Sequence, residues 1–190
     1  MGDNIKRDIE FLFEVGAMRN IERSWKHQVG TDFQNLNEHI LRVIWISFIL
    51  SKYEGGDINK IIKMALVHDL PESRTGDIDQ LKKQFVKRDE DRALVDILEG
   101  TSLEETKILW EEAKEKKSKE AMIVKDADYI DQQLELQEQY AKGVKIKNDW
   151  KHIFDGMRDK LFTETAKKLW IEIENSNPHD WHLNARKDLK

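Results

Sequence analysis

The chain has 190 residues, with 32 Lys+Arg against 37 Asp+Glu, a formal net charge of −5 and no cysteine. That length suits a single domain with a core of its own, and the missing cysteines exclude disulfide scaffolds and zinc–thiolate sites. The acidic balance argues against a long nucleic acid as partner, although a small anion needs only a local cation.

Residues 1–19 lack the basic start, apolar run and small-residue cleavage site of a secretory signal. The apolar-rich run 40–50 is too short to span a bilayer. A soluble, cytoplasmic chain with no membrane partner is the expectation.

Ile5, Ile9, Leu12 and Phe13 recur at helical spacing, and Gly16 ends that first helix. Residues 17–34 read as an irregular connection carrying Arg23, Trp25 and His27. A second helix is predicted over about 35–53. Leu36, Ile40, Val43, Ile44, Ile46, Phe48, Ile49 and Leu50 cover nearly its whole circumference, which makes it central. Gly55-Gly56 breaks it, and Asp57 caps a third helix that runs into His68-Asp69 before Pro71. Gly76 marks a turn before a fourth helix, about 78–98. Thr101 and Ser102, each followed three residues later by glutamate, form a capping-box pattern for a fifth. Ser118 caps a long sixth helix that stops near Gly143. Two further helices are predicted over about 149–161 and 163–175, ahead of a polar tail. With no strand-like alternation, the reading is all-α and single-domain: residues 1–176 as the domain and 177–190 as the tail. The lysine-rich run 114–119, interleaved with glutamate, reads as a solvated helix end. Trp45, Trp110, Trp150 and Trp170 read as core or interface aromatics.

Two of the six histidines stand in unusual places. His39 lies within the central apolar helix, and His68 closes an apolar run with Asp69 directly after it. A buried carboxylate at Asp69 needs a cation or a dense hydrogen-bond shell. On the sixth helix Asp126, Asp128 and Asp131 sit among apolar residues, and all three stay open as partners. Two imidazoles and two carboxylates from three helices would make a site for a divalent metal, for which N/O ligation suits Mn, Fe, Co, Ni or Zn.

The order His39, His68-Asp69, Asp128 resembles the HD-domain metal-dependent phosphohydrolases, an all-α superfamily. It is most similar to the branch of bacterial 5′-deoxynucleotidases and their eukaryotic and archaeal relatives. Asn37-Glu38-His39, the segment MALVHDLPESRTGD at 64–77, and EAMIVKDAD at 120–128 carry the resemblance, which spans about 11–140 with its motifs within 23–128. It implies His39, His68, Asp69 and Asp128 as metal ligands, selecting Asp128 over its two neighbours. It also implies Glu72 as the catalytic glutamate and Asp77 as a second catalytic acid. Without the family, Glu72 reads equally as a solvated helix-end acid, and Asp77 as the N-cap of the helix that follows.

Trp25 stands fourteen residues before His39, where the branch carries a tryptophan near the nucleotide. The arginine that directly precedes it in the bacterial enzymes is replaced here by Ser24, with Arg23 one place earlier. Arg23 is therefore the substrate-binding candidate beside Trp25, with Lys26 and Lys125 as substitutes. What the resemblance implies is hydrolysis of 2′-deoxynucleoside 5′-monophosphates through metal-activated water. One divalent cation (Mn, Co, Zn, Fe, Ni or Mg, with Co or Mn favoured) and a homodimer belong to the same implication. The alternatives are a nucleoside triphosphate hydrolase of the same superfamily and a catalytically silent nucleotide-binding or dimerisation module.

Overall fold

The computed structural model describes residues 2–30, 32–145 and 149–185. The fold is all-α, as expected. Eleven α-helices occupy the described residues: α1 (Gly2–Ala17), the single turn α2 (Lys26–Val29), α3 (Leu36–Glu54), α4 (Ile58–Val67), the single turn α5 (Glu72–Thr75), α6 (Glu90–Leu98), α7 (Lys107–Glu115), α8 (Lys119–Ala141), α9 (Lys151–Arg158), α10 (Glu164–Asn175) and α11 (Asp180–Asn184). The short α11 falls inside the stretch read as tail, and 186–190 lie outside the described residues. No described helix is long and apolar enough to cross a membrane.

Local chemistry sets where the long helices begin. Asn35 accepts from the Glu38 amide at 3.1 Å while the Glu38 side chain accepts from the Asn35 amide at 2.8 Å, a reciprocal cap that starts α3. Asp57 caps α4 and Ser118 caps α8, both as predicted. The lysine-rich run lies exposed between α7 and α8, with Lys116 in the left-handed region at φ 55°.

The main core is built from α3, α4, α8 and α10. Val43, Ile46 and Leu50 meet Ile61, Met64 and Ala65, then Ile123, Ala127 and Ile130, with Trp170 wholly buried among them. A second cluster joins Leu36 and Ile40 of α3 to Leu94, Ile97 and Leu98 of α6 and to Trp110 of α7. Trp110 and Trp170 are thus the core aromatics the sequence suggested, whereas Trp45 is 59% exposed.

Three expectations need correcting. First, α3 is central but not covered all round, because Leu41, Trp45, Ile49 and Tyr53 form an exposed stripe. They recur every four residues, so they share the one face that no described helix packs against. Second, the stripe that marked α1 (Ile5, Ile9, Leu12, Phe13) faces solvent, while Phe11 and Val15 pack inward. Third, the helix expected over 78–98 begins only at Glu90, and a single 3₁₀ turn at Lys82–Gln84 is the regular structure before it. Leu81, Phe85 and Val86 are exposed, so this segment has no buried face to reward helix formation. Asp79 instead caps the Lys82 amide at 2.8 Å, and Asp89 starts α6 by accepting from the Arg92 amide at 3.1 Å. The capping pattern at Thr101 also closes a turn: its hydroxyl donates to the Leu98 carbonyl and accepts from the Leu103 amide, and α7 starts at Lys107.

Candidate active site

Three packed helices bring His39, His68 and Asp69 to one point, with Asp128 beside them. The reciprocal cap places His39 one turn into α3, pointing inward and fully buried. His68 ends α4, Asp69 follows it, and the Trp110 indole donates to the His68 carbonyl at 3.1 Å, fixing that chain end. Asp128 comes from the middle of α8, which packs against both α3 and α4. The negative end of the α4 dipole therefore faces the cluster and favours a cation there.

Hydrogen bonding decides which imidazole nitrogens are free. His39 Nδ1 lies 2.5 Å from Asp131 Oδ2, and His68 Nδ1 lies 2.7 Å from the Ala65 carbonyl oxygen. Both partners accept, so both Nδ1 atoms carry a proton, and each ring in its neutral form presents its lone pair at Nε2. Each Nε2 is buried without a hydrogen bond of acceptable geometry. Asp69 Oδ2 stands 3.3 Å from His39 Nε2 and 3.4 Å from His68 Nε2, and Asp128 Oδ1 stands 3.5 Å from His39 Nε2. Two orphaned lone pairs and two carboxylates converging in this way fit a divalent metal with N/O preference.

The electrostatics agree. Burial works against charged His68, but Asp69 and Asp128 outweigh it and lift the imidazole to about 9, so without a cation beside it the ring holds a second proton that a metal would displace. Burial would also raise Asp69, yet His68 and His39 hold it well below the usual carboxylate range. Asp128 is lowered against its burial by Lys125 and His39. The cluster draws positive charge to itself.

The two predicted acids flank this point. Pro71 interrupts the chain after α4, and the single turn α5 carries Glu72 inward until Gly76, at φ +71°, turns the backbone toward Asp77. Glu72 is raised well above the ordinary range, first by burial, then by Asp69 and Asp77, with Arg23 and Arg88 opposing. Arg88 Nη1 donates to Glu72 Oε1 at 2.9 Å and to the Gly76 carbonyl at 2.7 Å. No helix starts after Asp77, so it is not the cap its position allowed; Asp77 Oδ2 accepts from the Ser24 amide at 3.2 Å.

Arg23 does reach this group, although it stands one residue away from the place the resemblance marks. It is 5% exposed, with Nη1 at 3.0 Å from Asp77, 3.4 Å from Asp69 and 3.8 Å from Glu72. Lys26 does not: it pairs with Glu22 and borders a separate groove. Lys125 does, with Nζ 2.5 Å from Asp128 Oδ2. The cluster opens into a cavity of about 740 Å³ that Trp25, Tyr129 and Trp150 also line. Trp25 and Trp150 meet there with ring centroids 5.2 Å apart, so Trp150 lines the cavity while also packing against the small core cluster of Phe33 and Leu136.

The other two aspartates of α8 have separate duties. Asp126 accepts from the Phe162 amide at 2.8 Å and from the Thr163 amide and hydroxyl at 2.8 and 2.7 Å, tying down the start of α10. Asp126→Ala is expected to cost about 3 kcal/mol, since it leaves three donors without their acceptor. Denaturant unfolding and metal titration check this, with lower stability and unchanged metal affinity as the expected pair of results. Asp131, fully buried, holds His39, and Arg42 Nε donates to its other oxygen.

Comparison with known proteins gives a concordant picture. The family model described as "HD domain" matches residues 15–170. The protein named "5′-deoxynucleotidase HDDC2" of Dictyostelium discoideum is 31% identical over 183 residues, covering 88% of this chain and 96% of its own. Among solved structures, a conserved hypothetical protein from Pyrococcus furiosus superposes with a TM-score of 0.75 at 24% identity, covering 88% of this chain and 99% of that one. A structure titled "Predicted metal-dependent phosphohydrolase" from Magnetospirillum magnetotacticum gives 0.70 at 19% identity, covering 91% and 96%.

Proposed function

We propose that this chain, which belongs to the HD-domain family, is a metal-dependent phosphomonoesterase that hydrolyses 2′-deoxynucleoside 5′-monophosphates to deoxynucleoside and phosphate. The observation that carries the reading is the convergence of two orphaned imidazole nitrogens with Asp69 and Asp128. The relative named as a 5′-deoxynucleotidase, matched over nearly its full length, supports the substrate class.

In this reading His39, His68, Asp69 and Asp128 hold one divalent cation, Co or Mn by family resemblance. Such an ion supplies Lewis acidity and lowers the pKa of a bound water to about 7. The chain's own groups do the remainder. Glu72, buried and raised, holds a proton within reach of the reacting end of the substrate and can return it to the leaving alcohol. Arg23 keeps Glu72 and Asp77 directed at one point and presents positive charge to phosphate oxygens. Asp77 orients water or a sugar hydroxyl. Trp25 and Trp150, their rings tilted 45° to one another, offer an apolar aromatic corner to the nucleoside.

The cavity walls carry six carboxylates against five Lys and Arg side chains, so a divalent cation turns the balance positive, as an anionic phosphate requires. A homodimer, by family resemblance, and a cytoplasmic location belong to the same proposal. One observation favours a second reading. Lys83 and Lys160 also line the cavity and would suit the longer anion of a nucleoside triphosphate.

Phosphate release from deoxy- and ribonucleoside mono-, di- and triphosphates, each with Mn, Co, Zn and Mg, tests the proposal. Turnover is expected to be highest on deoxynucleoside monophosphates. Turnover confined to triphosphates would replace the substrate assignment, and none on any pairing would leave the silent module.

A further inference from the structure

Beyond the ligands themselves, the structure links His39 through buried Asp131 to a chain of charges that leads away from the cavity toward a separate surface groove. Asp131 is fully buried, and one of its oxygens lies 2.5 Å from His39 Nδ1. Its other oxygen accepts from Arg42 Nε. The same guanidinium donates to Glu138 at 2.9 Å and to Glu135 at 3.0 Å. Glu135 accepts from Gln139 at 2.9 Å, and Gln34 donates to Asp131 at 2.7 Å. Asp131 therefore has a named partner on each side, whereas the matching nitrogen of His68 rests on a neutral backbone carbonyl.

We infer that Asp131, held by Arg42, is a positioning residue that sets the affinity of the metal site by fixing the ring and proton of His39. The inference rests on the metal reading of His39 given above. The geometry requires a dedicated acceptor there, for three reasons. His39 is wholly buried, so no water can hold its Nδ1 proton in place of Asp131. If that proton moved to Nε2, the nitrogen facing Asp69 and Asp128 would become a donor and could not bind a cation. A carboxylate acceptor also makes the opposite nitrogen a stronger ligand than a carbonyl does. Arg42 is the complement: a buried carboxylate without a cation is costly, and the fork of Arg42 fixes Asp131 at one oxygen, leaving the other for His39 and Gln34. Neither residue lines the cavity, so neither touches substrate.

The test is a titration of the metal-free full-length protein with Mn and with Co, by calorimetry and by the visible spectrum of the Co form, together with its melting temperature before metal is added. Four proteins are compared: wild type, His39→Ala, Asp131→Asn and Arg42→Gln. Asp131→Asn is expected to weaken both metals about 10–100-fold and to alter the Co spectrum. Arg42→Gln is expected to weaken them less, in the same direction. A purely structural role would lower the melting temperature of the metal-free protein and leave affinity and spectrum unchanged. That result, with binding lost in His39→Ala, would overturn the inference while keeping the metal site. Should Asp131→Asn fail to fold, unchanged affinity in Arg42→Gln would overturn it equally. Wild-type binding by His39→Ala would remove the metal reading and this inference with it.

Discussion

His68→Ala is expected to lower turnover by about a thousandfold or more and to abolish stoichiometric metal binding, with Asp69→Ala behaving alike. The magnitude follows from what these groups would lose: Lewis-acid stabilisation is worth several kcal/mol, and each factor of ten in rate corresponds to about 1.4 kcal/mol. His68 is 9% exposed at its side chain, so truncation opens a polar void beside the cavity and not a hole in the apolar core. The fold should therefore survive, with helical circular dichroism close to that of the unaltered chain. Metal content by mass spectrometry and phosphate release, measured on the same preparation, check the prediction. Undiminished turnover in either variant would sink the metal mechanism.

Glu72→Gln separates proton handling from metal binding. Glutamine keeps the volume of the side chain and an oxygen to accept from Arg88, which lies 2.9 Å from Oε1. What it loses is the exchangeable proton. kcat is expected to fall about 10²–10⁴-fold, with KM and metal content close to wild type. The pH dependence carries the sharper signature. Burial, Asp69 and Asp77 raise Glu72 well above the ordinary glutamate range, so its acid form persists to higher pH than in a solvated glutamate. Activity that needs this acid falls as pH rises through the raised value, and that limb should vanish in the variant. A kcat reduced less than about tenfold, with the limb intact, would mean that Glu72 is not the proton carrier.

The helices were legible wherever a cap and an apolar face agreed. Asp57, Ser118 and the two sides of α4 and α8 are read directly from residue type and spacing. The segment between Gly76 and α6 misled because Ile78, Leu81, Phe85 and Val86 have near-helical spacing. Spacing alone does not reveal that nothing lies opposite them. The exposed stripes of α1 and α3 misled for the same reason: periodicity identifies a face, and only the partners decide whether it is covered. At the site, His39, His68-Asp69 and Asp128 were visible as polar residues stranded in apolar runs. Choosing Asp128 among three aspartates was not possible from periodicity. In the structure Asp126 turns to the start of α10 and Asp131 to His39. Arg88 had no sequence signal of its own, and Trp150 read only as a core or interface aromatic, since both come from irregular segments that only folding brings to the cavity. Arg42 and the acids it meets did leave a trace. Asp131, Glu135 and Glu138 recur along one side of α8 at steps of four and three, and a lone arginine follows His39 by three.

The helices that would hold the metal are also the ones that close the main core. His39 and Asp128 belong to α3 and α8 and His68 caps the end of α4, the same three helices whose apolar faces meet at Val43, Met64 and Ala127. A cation at their junction acts as a cross-link between chain segments far apart in sequence, which the unfolded chain cannot assemble. Loading and folding are then one linked equilibrium: at a free concentration of about 100 times Kd, the ion adds roughly 2.7 kcal/mol to the native state. Heat tolerance of this chain is in that sense a property of its surroundings, rising and falling with the free metal available to it.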